Sequence, residues 1–349
     1  MKSSADNKTS ISESLSRHFA TMSFVSALLI VYLHTGSSVN NEVLASFLHK
    51  LLSNLCRIAI PWFFFASGFF LAGHIGEVGW WLKEVRKRVR TLAVPFWIWS
   101  SIICLFWILM AVMIRATGYS YSGIDAFQWL SLRGVFIVTG IDLQANIPTM
   151  WFLKALFILV VLSPLIYRGG GIFVVCCFIV YFLFKVEYAV IDVGHRYFLE
   201  SVIPLRGLVY FSCGMYMRSH MFELKRFAVY ILLCVGLGLL FWACSASNEI
   251  SRLIDVFMVP FLMISVFAFC RNVYIPSGIT SLSFPIYLVH GMIAYLISAI
   301  YGVLGVGGGK TVFILGLVRC VSTTLLAIGI TMILRKTLPA FSRIAFGGR

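Results

Sequence analysis

Residues 57–73 read RIAIPWFFFASGFFLAG, one arginine followed by sixteen residues without a charge. A helix needs roughly 20 mainly apolar residues to cross the hydrocarbon core of a bilayer, and this run, begun at residue 55, meets that length. The rest of the chain has the same character. Hydrophobic residues make up 60% of the 349, charged residues 12%, and mean hydropathy is +0.95. Soluble domains are about half apolar and about a quarter charged. The composition defines an integral membrane protein.

The same length criterion gives ten spans: 19–36, 55–73, 93–115, 150–167, 171–186, 201–217, 226–245, 252–270, 281–300 and 312–334. Only the tight turn RGGG (168–171) separates the fourth from the fifth. The expected fold is an all-α polytopic bundle of about ten transmembrane helices. It forms a single membrane domain over 16–340, with a polar N-terminal tail (1–15) and a short C-terminal tail (341–349). Lysines precede the first span as they would in a signal peptide, but LHTGSS (33–38) is a poor cleavage site, so this span is expected to be retained.

Loop charges set the orientation. With the N-terminus inside, the cytoplasmic loops carry KEVRKRVR (83–90), Arg168, RSHMFELKR (218–226), Arg271 and a basic C-terminal tail. The opposite loops hold Asp125, Asp142, Glu187, Asp192, Glu200 and Glu249. The positive-inside rule then puts both termini in the cytoplasm. It also accounts for most of the formal charge of +15 without nucleic acid, for which no aromatic-basic platform stands outside the apolar segments. The nine cysteines lie in or beside apolar runs and form no C-x-x-C pair. They read as small buried hydrophobes, not as a disulfide framework or a metal site.

Segment 78–92, VGWWLKEVRKRVRTL, interleaves Trp80, Trp81, Leu82, Val85, Val89 and Leu92 with five basic residues. That is the pattern of an interfacial amphipathic helix on anionic lipid. It equally suits a basic clamp for a phosphate-bearing cytoplasmic ligand, and the two roles are compatible. Within the spans stand His34, Arg57, Lys154, Arg206, His290 and Arg319. Ionisable residues there are costly and usually face a cavity or a partner inside the bundle. Each has a plainer reading as well. His34 could sit among headgroups, Arg57 could snorkel past its helix end, His290 could bond between helices, and Lys154 and Arg319 could hold helix interfaces.

Several segments, taken in order, resemble membrane acyltransferase family 3 in its shorter form without a fused esterase-like domain. They are IVYLH (30–34), RIAIPWFFFASGFFLAG (57–73), the basic stretch leading to LAVPFWIWS (92–100), MWFLKALFILVVLSPLIY (150–167), YFSCGMYM (210–217) and SLSFPIYLVHGMI (281–293). The resemblance implies transfer of an acyl group, usually acetyl, from cytoplasmic acyl-CoA to a hydroxyl of an extracytoplasmic carbohydrate such as O-antigen, capsule or exopolysaccharide. It implies a bacterial inner membrane, acetyl-CoA as co-substrate and no metal. His34 falls on the family's catalytic histidine, and Arg57, Ser67, Trp151, Tyr287 and His290 fall on other motif positions. One departure stands out. The family's usual arginine, eleven residues before that histidine, is Ser23 here, and its frequent aspartate is Ala20.

The chemistry this implies is modest, because a thioester is already an activated donor. A neutral histidine can take the hydroxyl proton, with a reference pKa near 6.5 that suits working pH. Arg86, Arg88 and Arg90, with Lys87, suit the phosphates of CoA. Base and clamp would then lie towards opposite membrane faces, joined by a pantetheine arm threading inward to His34. By family position Ser67, Arg57 and Tyr287 are the candidates to orient His34 or to donate to the oxyanion. No carboxylate lies near His34 in sequence, so a triad-like partner would come from a distant loop, such as Asp142 or Glu200. Two rivals share the helix count: a transporter or flippase of lipid-linked glycan, and an acyltransferase acting on a lipid or protein hydroxyl.

Overall fold

The computed structural model describes residues 13–36, 43–117, 150–190, 204–220, 226–270, 272–303 and 312–348. Among them every regular element is helical. In chain order these are α1 (Glu13–Thr35), α2 (Val43–Cys56), α3 (Ala59–Ala72), α4 (Trp80–Arg88), a π-turn (Val89–Ala93) and α5 (Val94–Thr117). Then follow α6 (Trp151–Val190), α7 (Leu205–His220), α8 (Arg226–Ser245), α9 (Asn248–Phe269), α10 (Ser277–Thr280), α11 (Ser283–Val303), α12 (Val312–Thr337) and α13 (Pro339–Ala345).

Among the described residues, eight helical stretches are long and apolar enough to cross a membrane. Each of the ten expected spans falls on a helix, and two details reconcile the counts. The 40 residues of α6 would run about 60 Å if straight, twice a bilayer core, but they break at Gly170 (φ 53°, ψ −147°). That conformation is open to glycine alone. Phe152 in the first limb packs on Phe64 of α3, and Phe182 in the second packs on Phe257 of α9. Since α3 and α9 are themselves tied side by side by Arg57 and Asp255, the limbs form a hairpin. This is the RGGG turn expected between the fourth and fifth spans. The other detail is α7, whose 16 residues fall just short of a full crossing by length.

Helix α2 was not expected. Its 14 residues, VLASFLHKLLSNLC, are too few to register as a span, and its lysine and histidine dilute the run. Its partners are α1, α8 and α12. The tightest helix pair is α3 against α7. A Cβ at Gly68 would stand 2.1 Å from the Phe211 carbonyl oxygen, and one at Gly214 2.1 Å from the Phe65 carbonyl oxygen. Small residues allow such backbone approach, which is how helices gain contact in lipid.

The first and the last described residues meet at one end of the bundle. The Ser14 and Tyr274 hydroxyls lie 3.1 Å apart. Arg335, near the end of α12, donates to the hydroxyl and carbonyl of Ser281 at 3.4 and 3.3 Å. Residues 339–348 then fold back. Trp99 of α5 donates its indole N–H to the Ala345 carbonyl at 2.9 Å and stacks on buried Phe346 at 5.7 Å. Gly347 (φ 64°) sits against the Thr91 carbonyl of the π-turn, where a side chain would collide. The basic helix α4 therefore shares this end with the start of α1 and with residues 339–348.

Candidate active site

His34 is the next-to-last residue of α1, exposed, and its ring lies 5.2 Å from that of His290. The two residues are 256 positions apart in sequence. α1 carries His34 to the site because it packs along both α3 and α11. His290 is the eighth residue of α11 and is wholly buried. It stands about 10 Å along that helix from Ser283 and about 20 Å from Val303. His34 thus ends its own helix without reaching the end of its neighbour, and the pair lies within the length of α11.

The ring of His290 is fixed. Its Nδ1 is 2.6 Å from the Tyr287 carbonyl oxygen, which can only accept, so Nδ1 carries the proton. In the neutral ring Nε2 is then a bare acceptor. It is buried and has no hydrogen-bond partner. Tyr287, also buried, stacks edge-on to Phe152 at 5.6 Å and lies 6.4 Å from Phe63. Trp151 meets Phe152 edge-on at 6.5 Å. Aromatic rings from α3 and α6 thus pack on Tyr287, which in turn lies 5.8 Å from the ring of His290. No third His, Cys, Asp or Glu joins them in a metal-binding group among the described residues.

The other residues singled out in sequence divide clearly. His290 stands beside His34 and Tyr287 beside His290, while Trp151 meets Phe152 on the far side of Tyr287. Arg57 is committed elsewhere. Its guanidinium pairs with Asp255 of α9 at 2.6 Å and donates to the Ser251 hydroxyl and carbonyl at 3.2 and 3.3 Å. Arg206 of α7 donates in turn to the Arg57 carbonyl. Instead of snorkelling outward, Arg57 ties α3, α7 and α9 together. Ser67 is half-buried on α3, ten residues and about 15 Å from Arg57, so the two cannot serve one small site. Arg319 bonds the Ser298 hydroxyl between α12 and α11, the interface role expected of it. Ser23, in place of the family's arginine, accepts the Trp62 indole N–H at 3.2 Å. Arg17, the nearest base upstream, pairs with Glu13.

In the basic segment, Arg86, Lys87 and Arg90 are exposed. Arg88 is turned inward, 3.6 Å from the buried carboxylate of Glu84, which Lys87 also approaches at 3.2 Å. Three of the four expected clamp residues thus face outward and one holds the helix. Trp81 fastens α4 to α6 through the Val161 carbonyl at 3.1 Å. Asp142 and Glu200, with Asp125, Asp192 and Arg271, lie outside the described residues. Sequence reasoning missed Asp255. Its signal was the single acid of the span 252–270, which in a membrane demands a cationic partner.

Fold and site together define a multi-pass helical membrane protein with a paired-histidine centre inside the bundle. The chain belongs to the acyltransferase 3 family: that family's model, described as an acyltransferase domain, matches residues 22–335. A curated relative is the succinoglycan biosynthesis protein ExoH of Rhizobium meliloti (strain 1021). It is 30% identical over 177 residues, 49% of this chain and 44% of that protein. The chain thus matches less than half the length of that relative. No solved structure matches it.

Proposed function

We propose that this protein is an O-acyltransferase that moves an acyl group, acetyl in the first instance, from cytoplasmic acyl-CoA to a hydroxyl of a bacterial surface polysaccharide, working in the inner membrane. The family supports acyl transfer, and the succinoglycan relative supports a carbohydrate acceptor. The observation that carries the mechanism is the position of His34, beside His290 about 10 Å along α11. That helix starts at the end of the bundle that holds the basic helix. Ser14 at that end and His34 stand about 30 Å apart along α1, so a pantetheine arm entering there threads most of a core of roughly 30 Å to reach the base.

His34 acts as general base. A nitrogen lone pair of its ring takes the acceptor hydroxyl proton as the oxygen bonds to the thioester carbonyl carbon. The tetrahedral oxyanion collapses, the C–S bond breaks, and the departing CoA thiolate recovers the proton from the imidazolium. Arg86, Lys87 and Arg90 hold the CoA phosphates; Arg88 supports them by pairing with Glu84 one turn earlier on the same helix.

The test is free-CoA release by the purified enzyme, given acetyl-CoA and host-envelope oligosaccharide stripped of its esters by mild base. His34→Ala should lower kcat by about 10²–10⁴-fold, whereas Arg86→Glu with Arg90→Glu should raise the KM for acetyl-CoA and spare kcat. An active His34→Ala enzyme removes the base role, an unchanged KM removes the clamp, and a wild-type protein that transfers no acyl group to the oligosaccharide overturns the carbohydrate-acceptor reading.

A further inference from the structure

We infer that His290 is the positioning residue for His34, doing through a neutral imidazole what a carboxylate does for the histidine of a catalytic triad. The inference rests on His34 being the base. A base histidine needs one nitrogen bare towards the substrate, and the proton on the other must be held by an acceptor that fixes tautomer and ring orientation. No carboxylate forms an ion pair with His34 among the described residues. What stands beside it is a buried imidazole whose Nδ1–H is committed to the Tyr287 carbonyl and whose Nε2 has no partner.

A buried acceptor without a partner bears the full cost of its lost hydration, and native proteins keep such groups where they serve a function. With ring centroids 5.2 Å apart, facing nitrogens can close to the usual hydrogen-bond distance of about 3 Å when the exposed His34 ring turns towards its partner. The bond then formed is His34 N–H to His290 Nε2. It leaves the second His34 nitrogen open for the acceptor hydroxyl. It also steadies the imidazolium created when that hydroxyl gives up its proton. The backbone carbonyl of Tyr287 closes the chain, so one tautomer of His290 sets one tautomer of His34. The ring of Tyr287, itself packed on Phe152 and Phe63, lies 5.8 Å from that of His290.

Two substitutions at one position separate this role from a structural one. Gln places an acceptor oxygen where Nε2 was, and Asn places a donor where Nδ1 was. In the CoA-release assay, His290→Gln should stay within several-fold of wild-type kcat. His290→Asn and His290→Phe should lose on the order of 10–100-fold in kcat, with the KM for acetyl-CoA unchanged. The reverse order, Asn active and Gln not, would make the Tyr287 bond the whole role of His290 and overturn the inference. Full activity in all three variants, with His34→Ala dead, would overturn it and leave the base standing. If His34→Ala is itself active, it is the underlying reading that fails. A second measurement needs no variant to fold well: nitrogen-15 NMR of labelled histidines in the wild-type protein. It should find His290 protonated at Nδ1 and bare at Nε2, and an Nε2–H tautomer would overturn the inference.

Discussion

At the scale of residues, the strongest charge pair in the bundle is the bond between Arg57 and Asp255, 2.6 Å long, with side chains 26% and 12% exposed. Such a pair is weak evidence of net stability, because desolvation offsets much of the attraction. Breaking it from one side is another matter, since the remaining charge keeps its burial and loses its partner. Asp255→Leu should therefore destabilise the protein by about 3 kcal/mol, and Arg57→Met with Asp255→Leu should recover most of that loss. Thermal unfolding in detergent measures both, and a double variant no better than the single one would show that the pair is not coupled. Arg57 was legible in the sequence as an unusual residue, but its partner was not. Nothing local relates position 57 to position 255, and hydropathy assigned Asp255 to the eighth span without remark. His34 and His290 were equally visible one by one and equally unconnected. Pairing of this kind is a property of helix packing, and a single sequence does not encode it in any spacing that can be read.

At the scale of elements, the hydropathy of the chain sufficed for the ten spans, because length and apolarity are what lipid demands. It failed for α2, which at 14 residues crosses nothing alone and leads into α3 through a turn at Arg57 and Ile58. The contact of α3 with α7 was also hidden. YFSCGMYM looks like any apolar run until Gly214 is seen against the Phe65 carbonyl and Gly68 against that of Phe211. At both places the atom in the way is backbone, which cannot rotate aside. Gly68→Ala and Gly214→Ala should each separate the two helices and cost on the order of 1–3 kcal/mol. Gly238→Ala is the control, since a Cβ there meets open space. Equal unfolding temperatures for all three would refute the close approach. Loss at positions 68 and 214 should lower activity too, because α3 carries Phe63, whose ring packs on Tyr287.

At the scale of the whole molecule, the first and last described residues and the basic helix converge on one pole. Ser14 meets Tyr274, Arg335 meets Ser281, and Gly347 meets Thr91. An even number of crossings is what this convergence requires. Among the described residues eight stretches are long and apolar enough to cross, and counting the two limbs of α6 separately and adding α7 gives the ten expected from sequence. Which side of the membrane that pole faces is a separate matter, and charge argues it. Lys83, Arg86, Lys87, Arg90, Lys336 and Arg343 are all exposed there, and basic residues near span ends are retained in the cytoplasm. The donor side and the acceptor side of the proposed reaction follow from the same assignment, so it can be tested before any acceptor is known. Green fluorescent protein should fluoresce in bacterial cells when fused at either terminus, and alkaline phosphatase fused at the same points should be inactive. Active phosphatase at both ends would invert the molecule and put the basic helix out of reach of cytoplasmic acyl-CoA. A split result, one terminus on each side, would contradict the convergence itself and with it the count of ten.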